Sequence, residues 1–115
     1  VQKLYSLTDK GREALRAKIM SLFTSPDHPR WQIDIATSNL ILLSENEART
    51  ALTAYRKELS TLLQGYHDLE DFLKSDQCAP HRMALARRPQ YLIEAELRWV
   101  DAYLAELPDF HLQGE

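Results

Sequence analysis

The chain has 115 residues, 44% of them apolar and 27% charged, a composition of folded globular proteins rather than disordered ones and of a size that suits one domain. Its net charge of −3 argues against a chain whose main role is to coat nucleic acid. The longest uninterrupted apolar run is Leu40-Ile41-Leu42-Leu43, where a membrane span needs ~20 residues, so the sequence predicts no association with a membrane.

The charge is uneven along the chain. Lys3, Lys10, Arg12, Arg16 and Lys18 make the start basic, and Glu94, Glu96, Asp101, Glu106, Asp109 and Glu115 make the end acidic. A single cysteine, Cys78, excludes an intrachain disulfide and fits a reducing, cytoplasmic compartment. Val1-Gln2-Lys3-Leu4-Tyr5 has no signal-sequence character and no initiator Met, so it reads as an internal cut with further chain upstream.

Lys3-Leu4-Tyr5-Ser6-Leu7 nearly alternates polar with apolar residues, which predicts a short strand, and Thr8 is a good cap for a helix starting at Asp9. Ala14, Leu15, Ile19, Leu22 and Phe23 give that helix an apolar stripe, and Ser25-Pro26-Asp27-His28-Pro29 ends it. A second helix is expected from about Arg30 to Leu43, apolar on most sides and in want of burial on two faces.

Ser44-Glu45-Asn46-Glu47 has the form of a capping box, with the serine oxygen accepting a backbone N–H and Glu47 reaching back to the serine N–H. The third helix then carries Ala48, Leu52, Tyr55, Leu59, Leu62, Tyr66, Leu69 and Leu73 in an unbroken heptad. A helix of about 30 residues is ~45 Å long, and Gly65 inside it suggests close approach of a neighbour. Residues 75–80 form the next turn.

A fourth helical region runs from His81 to about Leu107, with a kink or a break expected at Pro89. Leu92, Ala95, Trp99, Ala102 or Tyr103, and Glu106 or Leu107 again follow roughly a heptad, so helices three and four should pair as an antiparallel hairpin. Asp68, Glu70 and Asp71 before the turn would face Arg82, Arg87 and Arg88 after it. Residues 108–115 read as a loose tail. The predicted class is all-α, with four main helices, a long antiparallel hairpin and one short N-terminal strand.

Ala51, Ala54, Leu63 and Phe72 lie off the heptad and widen the apolar surface of the third helix beyond what one neighbour covers. A homodimer is the expected solution, because closed two-fold pairing is the commonest oligomer of soluble proteins. Its expected interface is Leu52, Tyr55, Leu59, Leu62, Tyr66, Leu69, Leu73 and Trp99. The plainer alternative is that helices one and two fold back and cover everything within a monomer.

Lys3-Leu4-Tyr5-Ser6-Leu7-Thr8-Asp9-Lys10-Gly11-Arg12-Glu13-Ala14-Leu15 resembles the end of the winged helix in PadR-like transcriptional regulators, although MarR-type regulators carry a similar Y-x-L-T-x-x-G stretch. Tyr91-Leu92-Ile93-Glu94-Ala95-Glu96-Leu97-Arg98-Trp99, after a capped helix with Leu/Tyr heptads, looks like the PadR C-terminal dimerisation domain and its E-x-x-W helix. The resemblance divides the chain into residues 1–8, the end of the wing, and 9–115, the dimerisation domain.

It implies a bacterial, cytoplasmic homodimer that binds operator DNA and responds to small aromatic molecules. The recognition helix that enters the major groove has no counterpart here, so weak or no DNA binding is expected of this chain. Lys3, Lys10 and Arg12 would contribute phosphate contacts, which position without specifying.

Trp99 and Tyr103, with Trp31, are the candidate effector pocket, against the plainer reading of aromatic core packing. His67 and Asp71 lack the further ligands a metal needs. Cys78 has nothing beyond Arg82 to activate it, and no nucleophile is paired with a base, so neither cofactor nor catalysis is expected. A helical coiled-coil interaction protein unrelated to DNA is the alternative function.

Overall fold

The computed structural model describes residues 6–27, 29 and 31–113, with side chains through 107. The described residues form helices α1 (Asp9–Thr24), α2 (Gln32–Ser38), α3 (Glu45–Ser75) and α4 (Pro80–Gln113), with a 3-10 turn at Leu40–Leu42 between α2 and α3. Of the predicted strand, residues 3–5 lie outside the described residues, while Ser6 and Leu7 are not in a strand. The chain divides into two compact units, residues 1–35 and 36–115.

In the first unit, Thr8 caps α1 as its sequence predicts: its hydroxyl oxygen accepts the Gly11 N–H at 3.0 Å. No residue of α1 is buried, and Leu15, Ile19, Leu22 and Phe23 all stand open. A helix of that length draws little stability from propensity alone.

The second predicted helix is shorter than expected. It ends at Ser38, and the chain turns through Asn39 into the 3-10 turn rather than continuing to Leu43. Thr37-Ser38-Asn39 supplies the physical reason: three side chains in a row compete with the helical backbone for hydrogen bonds. Its expected start, Arg30, lies outside the described residues.

The second unit is built on α3 and α4, which pack side by side. The capping box is present in full: Glu47 N donates to Ser44 Oγ at 3.1 Å and Ser44 N donates to Glu47 Oε1 at 3.0 Å. These two bonds to Ser44, the backbone one foremost, hold the Glu47 carboxyl below its ordinary range. At the other end, Gln77 N donates to Lys74 O and Cys78 N to Leu73 O. That pair of bonds is a Schellman motif, and Gln77 takes the left-handed conformation it requires, with φ of 54°. Pro80 then opens α4, where a missing N–H costs nothing.

Along α3 the inward line is Ala48, Leu52, Tyr55, Leu59, Leu63, Tyr66, Glu70 and Leu73. It follows the predicted heptad to Leu59 and keeps Tyr66 and Leu73, but Leu63 and Glu70 take the places of Leu62 and Leu69, which stay outside. Along α4 the inward line is Met83, Ala86, Gln90, Ile93, Leu97, Val100, Leu104 and Leu107, a strict alternation of three and four. The expected line through Leu92, Ala95 and Trp99 is not this seam. Two apolar heptads interleave on α4, and spacing alone does not rank them.

At the open end of the hairpin, Leu40, Ala48, Leu52 and Leu107 form a buried cluster with Leu43, Tyr103 and Leu104 against it. Leu107 has no exposed surface, and truncating such a residue to alanine costs about 2–5 kcal/mol.

Three further expectations change. Helix α4 is neither divided at Pro89 nor ended before Pro108; its backbone stays helical to Gln113. Burial of Ala86 and Gln90 on either side of Pro89 holds that turn in place. Gly65 meets no close neighbour within the chain, since a Cβ built there would touch nothing within 4 Å.

Candidate interaction surface

The hairpin has two unlike long edges. On one, Glu70, Arg87, Gln90, Tyr91 and Glu94 line a polar cleft. Gln90 is the one buried polar residue among the described side chains. Its amide nitrogen donates to Glu70 Oε1 at 2.8 Å, to Ala86 O at 3.0 Å and to Tyr66 O at 3.5 Å, so a single side chain spans both helices.

Glu70 also meets Lys74 at 2.9 Å and Arg87 at 3.7 Å. The Lys74 bond first, and the Gln90 bond next, hold its carboxyl below the usual value. Of the three acids expected to face arginines across the turn, Glu70 does so through Arg87, whereas Asp68 accepts from Gln64 on its own helix.

Further from the turn, Arg56 makes two bonds to Asp101, at 2.6 and 3.3 Å, which hold the Asp101 carboxyl below its ordinary range. Both side chains are about half exposed, so the pair fixes helix register more than it stabilises.

The opposite edge is apolar. Leu62 and Leu69 stand open on α3, at 54% and 41% exposure, and Leu85, Leu92 and Trp99 on α4, at 75%, 45% and 36%. Members of each set are seven residues apart, so each set lies along one line of its helix. Leu69 and Leu85 line the same hollow near the turn, which places the two lines on one side of the hairpin. Tyr55 hydroxyl donates to Glu96 Oε1 at 3.1 Å across the two helices.

The expected dimer residues thus divide. Leu52 and Leu59 are buried within the single chain, and Tyr55, Tyr66 and Leu73 are half-buried in its seam. Leu62, Leu69 and Trp99 remain on the surface. Leu85 escapes the sequence reading, although its spacing of seven from Leu92 and fourteen from Trp99 is a usable signal.

Trp99 and Tyr103 stack with ring centroids 5.4 Å apart, so each ring already has the other as a partner. Trp31 is half exposed and belongs to the other unit. Lys10 and Arg12 are exposed on α1, with Arg12 among the alternating charges of Asp9, Glu13 and Arg16. Lys3 lies outside the described residues.

Among the described residues no group of three or more His, Cys, Asp or Glu side chains is placed to hold a metal ion, and no helix is long and apolar enough to cross a membrane. Cys78 is half-buried at the turn and has no disulfide partner. Compared with known protein families, with curated proteins and with solved structures, the chain matches none.

Proposed function

We propose that this chain is a self-association module, in which the α3–α4 hairpin joins two copies of a PadR-like transcriptional regulator. The observation that carries the proposal is the open apolar edge. The hairpin's own seam is already filled by Leu52, Leu59, Met83, Ala86 and Val100, yet Leu62, Leu69, Leu85, Leu92 and Trp99 still face solvent. An exposed apolar edge of this kind on an otherwise charged helical hairpin supports a protein contact there.

The regulator part of the proposal rests on the likeness of residues 3–15 to the end of a winged helix and of residues 91–99 to a PadR helix. In that setting the hairpin sets the spacing of two DNA-binding heads, and a small aromatic effector acts by favouring one spacing over another.

Sedimentation equilibrium tests the self-association: a dimer at micromolar concentration is expected. A monomer would turn the reading to a helical interaction protein, unrelated to DNA, whose edge meets a different chain. The regulator label is tested by the codons preceding Val1 in the intact gene, which should encode a helix-turn-helix.

A further inference from the structure

Helix α4 is polarised in charge as well as divided in apolarity. Its first half carries His81, Arg82, Arg87 and Arg88 and no acid, while residues 94–107 carry Glu94, Glu96, Asp101 and Glu106 against Arg98 alone. Two such helices repel at both halves when aligned in parallel. Reversed, each basic half lies on the partner's acidic half.

We propose that the occupant of the open edge is a second copy of this chain, docked with its α4 antiparallel to the first across a two-fold axis between residues 93 and 94. The inference rests on the self-association reading and adds the register and direction of the pairing.

The spacing of the open stripe carries the register. Leu85, Arg88, Leu92, Ala95, Trp99 and Ala102 follow an alternation of three and four along α4. In antiparallel helix pairs the two kinds of heptad position meet one another in layers. Layering the stripe on its reversed copy sets Leu92 against the partner's Ala95, Leu85 against the partner's Ala102, and Arg88 against the partner's Trp99. Two layers then match a large side chain with a small one, as close packing requires.

The third layer places a guanidinium on an indole face, a favourable cation–π pairing. On the flanks the same register sets Arg98 beside the partner's Tyr91 and Arg82 beside the partner's Tyr103. A parallel pairing would instead stack Arg88 on Arg88 and Trp99 on Trp99.

Spin labels distinguish the two directions. In a Cys78→Ser background, Ala84→Cys and Ala105→Cys place labels at exposed positions beside the stripe. In the antiparallel dimer, copies labelled only at 84, or only at 105, hold their labels roughly 30 Å or more apart at 1.5 Å rise per residue, and a mixture of the two single variants gains a much shorter distance. A parallel dimer gives the reverse pattern and overturns the inference while leaving self-association standing.

Leu92→Glu, a change at an exposed position, should retain the helical circular dichroism of the chain and raise the dimer Kd about 100-fold. An unchanged Kd would show that the copies meet elsewhere and would overturn the inference. A wild-type chain that sediments as a monomer would overturn self-association and this pairing together.

Discussion

The Gln90 amide nitrogen reaches Glu70 Oε1 at 2.8 Å and Ala86 O at 3.0 Å, so the residue after Pro89 ties the proline turn of α4 to the facing helix. Proline at position 89 leaves the Leu85 carbonyl without its usual N–H donor and crowds the preceding turn. A buried glutamine one residue later supplies a donor to that turn and to α3 together.

Gln90→Leu keeps the volume and removes the donor. It should cost about 1–3 kcal/mol, the usual penalty for leaving buried polar groups unpaired. Urea denaturation reads this directly; a neutral result would mean that water or Lys74 fully replaces the amide.

Pro89→Ala restores the missing N–H in the interior of a continuous helix. An increase in stability of about 1–3 kcal/mol is expected, read as a higher denaturation midpoint at unchanged slope. A loss of stability would show that the half-buried ring contributes more by packing than it costs in the hydrogen-bond ladder.

Local chemistry made much of this fold legible. Thr8, Ser44 with Glu47, and the turn over residues 75–80 each act through groups within a few residues, and each appears where the sequence places it. The hairpin itself was legible from the periodicity of two long segments. Its register on α4 was not, because Met83, Ile93, Leu97 and Val100 compete with Leu92, Ala95 and Trp99 as an equally regular line. Only the facing surface of α3 decides between them.

Pro89 does not divide the helix, for a related reason. Its local cost is real, but tertiary burial of Ala86 and Gln90 outweighs it. Of the candidate interface, Leu62, Leu69 and Trp99 were legible as heptad members, whereas the loss of Leu52 and Leu59 to the chain's own seam was not.

Gly65 lies in the interior of α3, and a Cβ there would meet open space. Gly65→Ala should therefore stabilise the chain by about 0.5–1 kcal/mol through helix propensity and reduced freedom of the unfolded chain. Thermal denaturation at low micromolar concentration measures it. A destabilised variant would reveal close contact at Gly65 from a second chain.

Glu70 gives the hairpin an acid sensitivity of defined sign. Its folded carboxyl lies below the ordinary value of 4.5, through Lys74 first and Gln90 next. The folded state therefore binds its proton less readily than the unfolded chain. The stabilisation is fully present above about pH 4.5 and fades as pH falls below it. Denaturation midpoints of wild type and Glu70→Gln should differ at about pH 6 and converge towards about pH 3. A difference independent of pH would assign the role of Glu70 to packing rather than charge.

Sedimentation equilibrium of the wild-type chain at micromolar concentration tests the self-association claim most directly. The prediction is a species of twice the 13.3 kDa chain mass, returned to a single chain by Leu92→Glu with its helix content intact. A wild-type chain that remains a monomer throughout that range would contradict it.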